Sequence, residues 1–554
     1  MITEWIPAAR PEHIFPVLAP ELRTRLAANG KTRRVKAGDS LAVPGQRDTP
    51  MFLVLSGAVK VEVRTPTGED LVTVYRSGQF SGEVAIFTGR PQLAALTVIE
   101  DGEVVELDSS RLRTLLQTDS ELSDIFMRAF ILRRVELIAH QAGNVVVVGS
   151  THSPDTLRIK EFLTRNGHPY TYLDLERDPD AEALLERFGI KPDAVPVTMC
   201  YGGAVHKNPT NSELAGGLGF NAPIDEKQLR DVVIIGAGPA GLAAGVYAAS
   251  EGLDVLLLET HAPGGQAGSS SKIENYLGFP TGISGQELAG RAYAQVQKFG
   301  AHVIIAKSAA KLHCEQKPLH VELDDGTSVA ARSVVVATGA KYRRLSVPNA
   351  ERFEGVGIYY GATVMESQLC AGEEIVVIGG GNSAGQAAVF LARNAKRVYM
   401  LVRSDGLSET MSRYLIRRIE EEKKIELRTQ TEITAVEGSN RLERISWRDK
   451  RAGKVETRDI RHIFVMTGAD PNTDWLRRCV VLDRAGFIKT GVDLTPEDLA
   501  SSRWPLTRLP RLLETSVPGV FAVGDVRAGN IKRVASSVGE GAIAVAFVHQ
   551  ALHE

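Results

Sequence analysis

Cysteine is scarce in this chain, and so is an excess of charge of either sign. Only four of the 554 residues are cysteines, at positions 200, 314, 370 and 479, and no two are spaced as Cys-x-x-Cys. No Cys/His cluster suits zinc, so we expect no metal, and a disulfide-rich secreted domain is excluded. Lys and Arg number 65 against 67 Asp and Glu, with no long run of one sign. Nothing therefore indicates binding to nucleic acid or to an anionic membrane.

Long hydrophobic runs are missing as well. The first ten residues contain Glu4 and Pro7 and no apolar core preceded by basic residues, so we expect no signal peptide and a cytoplasmic location. The uncharged stretch from Val232 to Ser250 is interrupted by a proline and four glycines. It therefore predicts a strand, a turn and a helix, and no membrane span.

The chain is too long for one hydrophobic core, and its pattern changes along the sequence. From about His13 to Phe80, alternating apolar runs predict a small antiparallel barrel or jelly roll, closed by the helical pattern from Ser120 to His140. A buried strand after Asn144 then begins a small α/β domain. The remainder alternates strands and helices and contains two Gly-rich turns, which predict tandem Rossmann-like folds. The predicted domains span residues 1–142, 143–225, 226–344 with 468–554, and 345–467.

The first Gly-rich turn follows the apolar strand Val232–Ile235 and reads Gly236-Ala237-Gly238-Pro239-Ala240-Gly241. In this GxGxxG pattern the first glycine permits a tight turn, the second lets the backbone approach a pyrophosphate, and the third lets helix and strand pack closely. A second apolar strand ends at Glu259, close to where a carboxylate binds a ribose hydroxyl. The pattern predicts a dinucleotide site.

The motifs that follow identify a family. Pro263-Gly264-Gly265-Gln266, Ile273-Glu274-Asn275-Tyr276, a strand ending at Thr338-Gly339, and Gly519 to Asp525 occur in the order typical of thioredoxin reductases. The resemblance covers residues 231 to 554 and implies that the first fold holds FAD. It places Gly265, Gln266 and Asn275 near the flavin and Asp525 on the ribityl chain. It also places Lys532, Arg533 and Val534 along the isoalloxazine edge.

The resemblance implies that the second fold binds NADPH or NADH through Gly379-Gly380-Gly381-Asn382-Ser383. In the family, a His-Arg-Arg element and a later Arg clamp the 2′-phosphate of NADPH. The matching positions here are Val402, Arg403, Ser404 and Ser408, so a single arginine is present. Because several charge-assisted bonds hold a phosphate better than one, the choice between the two nucleotides stays open. A solvated surface role for Arg403 is the alternative.

The reactive Cys-x-x-Cys of thioredoxin reductases is absent. The matching segment reads Gly361-Ala362-Thr363-Val364, and neither end residue can form a mixed disulfide. The nearby Cys370 is interpreted as a buried structural residue. Tyr359 and Tyr360 either cover the flavin or simply pack in the protein.

The segment 143–225 resembles glutaredoxin and thioredoxin, with Ser153 and Thr156 in place of the two thiols and Val195-Pro196 where such folds place a cis proline. A hydroxyl cannot replace a thiolate, so we expect this unit to dock a partner or a neighbouring domain. Cys200 is interpreted as a core residue.

The first unit resembles cyclic-nucleotide-binding domains, because Phe80-Ser81-Gly82-Glu83 keeps the glycine and the ribose-binding glutamate. Gln92 stands where the phosphate-binding arginine is expected, and Arg90 lies two residues early. Loss of the charge pairing makes cyclic-nucleotide binding unlikely. We expect a degenerate regulatory or dimerisation module.

Two functions fit these patterns. The first is an enzyme that transfers hydride from NAD(P)H to FAD and then electrons to a small-molecule or protein acceptor, without an internal dithiol. The second is a flavin-based redox sensor or regulatory scaffold, with the N-terminal units carrying the readout. A homodimer is expected. The sequence assigns no catalytic side chain and does not identify the acceptor.

Overall fold

The computed structural model describes residues 11–65, 68–83, 86, 90–139, 145–151, 153–191, 194–200, 204–270, 272–362, 364–476 and 478–554. No helix among these residues is long and apolar enough to span a membrane. Within the same residues, no group of three His, Cys, Asp or Glu side chains could hold a metal ion.

The first unit is a five-stranded antiparallel sheet closed by helices. Its strand order is β1–β5–β3–β4, with β2 paired to β5. The apolar runs that predicted separate strands belong to one long, bulged strand, β3. Buried rings of Phe80, Phe126 and Phe130 fill the core against the last helix. The elements are β1 Lys31–Val35, β2 Ser40–Ala42, β3 Met51–Thr65, β4 Gly68–Tyr75, β5 Ala94–Leu107, α1 Pro11–Ile14, α2 Pro20–Asn29, α3 Ser109–Thr118 and α4 Ser120–Ala139.

The second unit has a four-stranded sheet of order β7–β6–β8–β9. Strands β6 and β7 are parallel and the other two pairs are antiparallel. The bond between Val195 and Pro196 is cis, as the resemblance implied. The elements are β6 Val145–Gly149, β7 Thr171–Asp174, β8 Val197–Cys200, β9 Val205–Lys207, α5 Pro154–Arg165, α6 Pro179–Arg187 and α7 Asn211–Gly217.

The third unit contains the first Gly-rich turn in a seven-stranded sheet. Its strand order is β12–β11–β10–β15–β14–β13, and a strand far along the chain, β26, pairs with β15. The four valines and isoleucines of β10 are buried because helices or strands cover both faces of the sheet. The elements before the insertion are β10 Arg230–Ile235, β11 Val255–Glu259, β12 His302–Ile305, β13 Ala309–His313, β14 Leu319–Leu323, β15 Ser328–Val336, α8 Pro239–Ser250, α9 Gly265–Gly268 and α10 Gly285–Lys298.

A fourth unit is inserted into the third. A two-stranded ribbon, β16 with β25, carries both connections between them. Inside the insertion, a parallel sheet of order β17–β24–β18–β19–β20 holds the second Gly-rich turn, and an antiparallel sheet of order β21–β22–β23 packs beside it. The elements are β16 Ala340–Tyr342, β17 Ile358–Tyr359, β18 Glu374–Ile378, β19 Arg397–Leu401, β20 Ile425–Arg428, β21 Thr431–Glu437, β22 Arg444–Asp449, β23 Val455–Arg458, β24 Ile463–Val465, β25 Ala469–Pro471, α11 Val364–Leu369, α12 Asn382–Leu391 and α13 Arg413–Glu421.

The chain then returns to complete the third unit. It adds β26 to the sheet and packs a long apolar helix, α15, against α8. The elements are α14 Pro496–Ser501, β26 Val520–Ala522 and α15 Val534–Leu552. The predicted insertion of one nucleotide fold within another is therefore present, while the predicted boundary residues stay predictions.

Candidate nucleotide and redox site

The three glycines of the first turn differ in how closely other atoms approach the position of a Cβ. Gly236 has a φ of 105°, and a Cβ there would lie 2.3 Å from the carbonyl oxygen of Ala337. A Cβ at Gly241 would lie 1.8 Å from the Gly236 carbonyl oxygen. At Gly238, in contrast, the nearest heavy atom to such a Cβ is the Cα of Gly265, 3.9 Å away. Two glycines thus allow close packing, and the middle one leaves open space beside the backbone.

Glu259 lies at the end of β11, directly beside this turn. Its side chain is 8% exposed and accepts hydrogen bonds from the backbone amides of Ala237 at 2.7 Å, His261 at 2.9 Å and Ala262 at 3.2 Å. A carboxylate has about four acceptor positions, so one stays available for a ribose hydroxyl. The glutamate therefore holds the turn in place, and its predicted contact with ribose stays a prediction.

The segment from Gly264 to Gln266 approaches the Gly-rich turn. Gly264 and Gly265 both have positive φ, and the Gln266 side-chain amide donates to the Ala340 carbonyl oxygen. The predicted Asn275 is exposed in a loop held by the bridge between Ile273 and Ile283. Of the predicted flavin contacts in this region, the structure brings Gly265 to the turn and leaves Asn275 at the surface.

Residues from the two ends of this fold meet near the same turn. Thr338 and Asn472 exchange two hydrogen bonds of 2.9 Å, and the Asn472 amide donates to the Gly339 carbonyl oxygen at 3.1 Å. Burial raises the pKa of the half-buried Asp525, although the charge of Lys532 opposes this effect. No hydrogen bond to the Asp525 carboxylate exists among the described residues, so its acceptors are available to a ligand.

The predicted flavin-edge residues Lys532, Arg533 and Val534 lie at the start of α15. The Lys532 ammonium lies 4.7 Å from the centre of the Phe487 ring and 3.4 Å from the Asp525 carbonyl oxygen. Arg533 is exposed and precedes the first residue of the helix, Val534. Lys532 therefore places a cation beside Asp525, which would suit an anionic cofactor.

The second Gly-rich turn repeats the geometry of the first. Gly379 has a φ of 137°, and a Cβ there would lie 2.4 Å from the Met466 carbonyl oxygen, whereas a Cβ at Gly381 would have no neighbour nearer than 4.0 Å. Asn382 begins α12, and its side chain accepts from the Ser412 amide at 2.7 Å. Arg403 is exposed and forms no hydrogen bond or ion pair with the described residues.

A narrow cleft of about 40 Å³ separates the two nucleotide folds. Gln266 and Tyr342 line it on one side, and Gly361 and Ser383 line it on the other. Tyr342 is hydrogen-bonded to Ser383, and burial raises its pKa. The sequence did not single out Tyr342, although its place three residues after Gly339 was the available signal. The cleft is where the two folds could exchange electrons.

An ion-pair cluster also connects the two folds. Glu274 pairs with Arg418 of the inserted fold at 2.5 Å and with Lys272 at 3.2 Å. Burial raises the pKa of Glu274, but the hydrogen bonds and charges of these two cations lower it overall.

A family profile described as pyridine nucleotide-disulphide oxidoreductase matches residues 230–541, which include both Gly-rich turns and the cleft. The chain belongs to this family. A cyclic nucleotide-binding domain profile matches residues 32–119, which confirms the predicted resemblance of the first unit to such domains. The reductase is a thioredoxin-reductase-like enzyme, as the predicted order of motifs indicated.

Several relatives of the reductase are thioredoxin reductases. That of Mycolicibacterium smegmatis is 33% identical over 316 residues, 57% of this chain and 94% of the relative. The 34.2 kDa protein in the rubredoxin operon of Clostridium pasteurianum is 31% identical over 320 residues, 58% of this chain and 96% of the relative. The Lactococcus lactis thioredoxin reductase structure has 29% identity and a TM-score of 0.52, covering 58% of this chain and 99% of that chain.

The cofactors of this reductase family are FAD and a pyridine nucleotide. The chain fits both, because Gly238 and Gly381 leave space beside the backbone for a pyrophosphate and Asp525 offers free acceptors. Gly236, Pro239, Ala240 and Gly241 shape the first cradle, and Gly379, Asn382 and Ser383 shape the second. The individual contacts of these residues with the cofactors stay predictions.

The segment that the resemblance aligns with the family's dithiol borders the cleft. Gly361 lines it, and a Cβ at this residue would meet no heavy atom within 4 Å. Val364 begins α11, and Thr363 between them lies outside the described residues. Tyr359 packs against His462 and Phe464 in the inserted fold, and the Tyr360 hydroxyl donates to Glu354 at 2.9 Å. Both tyrosines therefore pack within the inserted fold.

The four cysteines divide into two kinds. Cys370 is fully buried, and burial raises its pKa to about 12; burial also raises the pKa of Cys200. Both are free thiols and are protonated at neutral pH. Cys314 and Cys479 form a disulfide, with Cα atoms 6.0 Å apart. The sequence missed this pair because 165 residues separate its members.

Ser153 and Thr156, which the resemblance places at thiol positions, have structural roles in the second unit. Ser153 caps α5 by accepting from the Thr156 amide, and the Thr156 side chain is fully buried. The same helix ends at the third unit, which we call the flavin fold. There Arg165 donates to the Gly265 carbonyl oxygen at 2.8 Å, and the Asn166 side chain donates to the His261 carbonyl oxygen at 3.1 Å. This contact, which the sequence did not reveal, agrees with the predicted docking role.

Proposed function

We propose that this reductase transfers electrons from NAD(P)H through FAD to an acceptor, without a dithiol of its own. When bound, FAD would supply the two-electron redox chemistry between the nicotinamide and the acceptor. The observation that supports the proposal is Gly361, which lines the cleft and which the resemblance aligns with a redox cysteine of the family. The free thiols of Cys200 and Cys370 cannot take over the relay as thiolates, because burial raises their pKa values.

The chain's own residues supply binding and orientation. Gly238 and Gly381 admit the two pyrophosphates, and Asp525 and Glu259 are placed to accept hydrogen bonds from hydroxyl groups. Gln266 and Tyr342 line the cleft between the folds, where they can orient the reacting rings. The acceptor is a small molecule or a redox protein that reaches this cleft directly.

The test uses cysteine variants of the full chain. Cys200→Ser with Cys370→Ser should retain flavin content and turn over NAD(P)H within a few-fold of the wild-type rate, with a quinone, a dye and a disulfide as acceptors. The matched control is Cys314→Ser with Cys479→Ser, which removes the disulfide and leaves both free thiols. Loss of turnover in a Cys200/Cys370 variant that stays folded and yellow would show a thiol relay and overturn the proposal.

The nucleotide preference is tested at Arg403. One exposed arginine should favour NADPH less than the three arginines of the family's 2′-phosphate clamp, since each charge-assisted bond contributes about 1.5–3 kcal/mol. We expect Arg403→Ala to raise KM for NADPH roughly tenfold and to leave KM for NADH within about twofold. The control is Arg417→Ala, another exposed arginine of the inserted fold. Equal effects on both nucleotides would assign Arg403 to the solvated surface.

A second candidate function is a redox sensor. The hydrogen bonds of Arg165 and Asn166 to the loop that contains His261 and Gly265, called the flavin loop, favour a sensor. They link the N-terminal units to residues beside the predicted flavin. Anaerobic mixing with NADPH and NADH, followed by acceptor, separates the two candidates. Rapid reoxidation by an acceptor supports the enzyme, whereas slow reduction and negligible turnover with every acceptor support the sensor.

A further inference from the structure

The N-terminal unit contains a cavity of about 430 Å³ between its sheet and helix α4. Sites for small molecules have volumes of about 300–1,000 Å³, so this cavity can enclose a compact organic ligand. Its walls are mostly apolar and include Val61, Val63, Leu96 and Leu137. Gly82, Glu83 and Gln92, which the resemblance relates to a cyclic-nucleotide site, also line the cavity.

The groups that would bind a cyclic nucleotide are used elsewhere. Arg90 is 8% exposed, donates to the Asn166 carbonyl oxygen at 3.2 Å and stacks 4.1 Å above the Phe220 ring. It does not line the cavity. Glu83, the predicted ribose ligand, pairs with Arg134 at 3.3 Å. Gln92 lines the cavity at the phosphate position and carries no charge.

Arg133 is a different cation that does line the cavity. It is 6% exposed, and its Nε and Nη1 donate to the carbonyl oxygens of Ile14 at 2.9 Å and Gly82 at 2.8 Å. Its Nη2 is buried and has no hydrogen-bond partner. Among the described residues no carboxylate forms an ion pair with it. Its charge instead faces aromatic rings, whose centres lie 4.7–5.9 Å from the guanidinium carbon: Phe15, Tyr75, Phe80 and Phe130. The unbonded Nη2 is suited to an anionic ligand, because an unsatisfied buried donor is costly.

The charges around the cavity restrict the anion. Glu83 and Glu136 also line it, and because their carboxylates repel every negative charge on a ligand, an anion with one charge is favoured over an anion with two. The valine and leucine walls favour an apolar body, which gains free energy from leaving water. A cyclic nucleotide also carries one negative charge, but its polar ribose and base would lie against these apolar walls.

We propose that this cavity binds an organic monocarboxylic acid with an apolar body, such as an arylalkanoate or a medium-chain alkanoate. The carboxylate pairs with the guanidinium of Arg133, and the apolar body lies against Val61, Val63 and Leu96. This inference is independent of the reaction proposed for the flavin site, because it concerns residues of the first unit alone.

Calorimetry on the full chain tests the charge requirement. The probes are 4-phenylbutyrate, octanoate, the neutral 4-phenylbutyramide, and cyclic AMP with cyclic GMP. At least one acid should bind tenfold or more tightly than the amide and than either cyclic nucleotide. Binding of neither acid, equal binding of acid and amide, or tighter binding of a cyclic nucleotide would overturn the proposal.

Variants then locate the site. Arg133→Met should weaken binding of the acid at least tenfold, and Arg128→Met, an exposed residue of the same helix, should not. Because Arg133 also bonds two backbone carbonyls, Ala94→Leu serves as a second test by adding side-chain volume at the cavity wall. Retained flavin content and thermal stability show that each variant is folded. Unchanged binding in a folded Ala94→Leu protein would place the acid elsewhere and refute the assignment.

Discussion

The flavin fold and the N-terminal units differ in which of their predicted binding features they keep. In the flavin fold, Gly236, Gly238 and Gly241 have the geometry of a nucleotide cradle, and Asp525 keeps free acceptors. In the N-terminal units the folds persist, while Arg90 and Ser153 form interdomain or capping bonds. The comparison shows Gly-rich backbone geometry suited to a nucleotide in one region, and polar side chains engaged in structural contacts in the other.

The sharpest test of the cradle compares two glycines of one turn. Gly241→Ala places a Cβ 1.8 Å from the Gly236 carbonyl oxygen, so it should lower stability by about 1–3 kcal/mol and abolish flavin retention. Gly238→Ala has an ordinary φ of −70° and no close neighbour. It should keep apo-protein stability within about 0.5 kcal/mol but weaken flavin binding roughly tenfold or more. Urea unfolding and flavin fluorescence measure both. Equal stability losses would contradict the assigned roles.

A second test separates binding from stability at Asp525. Asp525→Asn should weaken flavin retention about tenfold, because the amide is a poorer acceptor than the carboxylate. Burial raises the pKa of Asp525, so the folded apo-protein binds its proton more tightly than the unfolded chain does. The aspartate therefore costs stability above its unfolded pKa of about 3.9, and this cost disappears at lower pH. Asp525→Asn should accordingly stabilise the apo-protein at pH 7 and not below pH ~3, as chemical unfolding at the two pH values would show.

The third test concerns the contact between the two regions. Arg165→Met removes the hydrogen bond to the Gly265 carbonyl oxygen, and a net loss of about 1 kcal/mol predicts roughly fivefold weaker flavin binding. Arg158→Met is the control, because Arg158 bonds Asn208 and Asn211 within its own unit. Fluorescence titration of apo-protein with FAD gives the affinities. Equal affinities for Arg165→Met and wild type would show that docking does not affect the flavin loop.

The smallest effect is expected at Ser153, where the resemblance places a thiol. Ser153→Ala removes the cap of α5 and should lower stability by about 0.5–1 kcal/mol, with no change in NAD(P)H turnover. Thermal denaturation and steady-state kinetics measure the two quantities. A fall in turnover would give this hydroxyl a role in electron transfer and break the comparison.

The sequence predicted the parts of the molecule that depend on local patterns. Both Gly-rich turns and the strand ending at Glu259 follow from glycine spacing and buried strands, and the insertion of one fold in another follows from the family resemblance. The family motifs also located Gly361 before any geometry was known. These features are encoded within short segments, so they can be read from a single chain.

Long-range contacts could not be predicted in the same way. The Cys314–Cys479 disulfide joins residues 165 positions apart, and nothing near either cysteine marks the other. Arg90 and Arg165 were not expected to reach the flavin fold, because a side chain's direction depends on how whole domains pack. The three amide bonds to Glu259 likewise arise from turns that meet only in the folded chain.

The insertion on the ribbon β16–β25 has a consequence for biosynthesis. During translation, β10, β11 and β15 emerge before the inserted fold, but β26 and Asp525 emerge after it. The inserted fold is continuous in sequence and can form on the ribosome as a unit. The flavin fold stays incomplete, with part of β15 unpaired, until β26 is synthesised and pairs with it. We therefore expect FAD to bind late in the synthesis of the chain, after the inserted fold has formed.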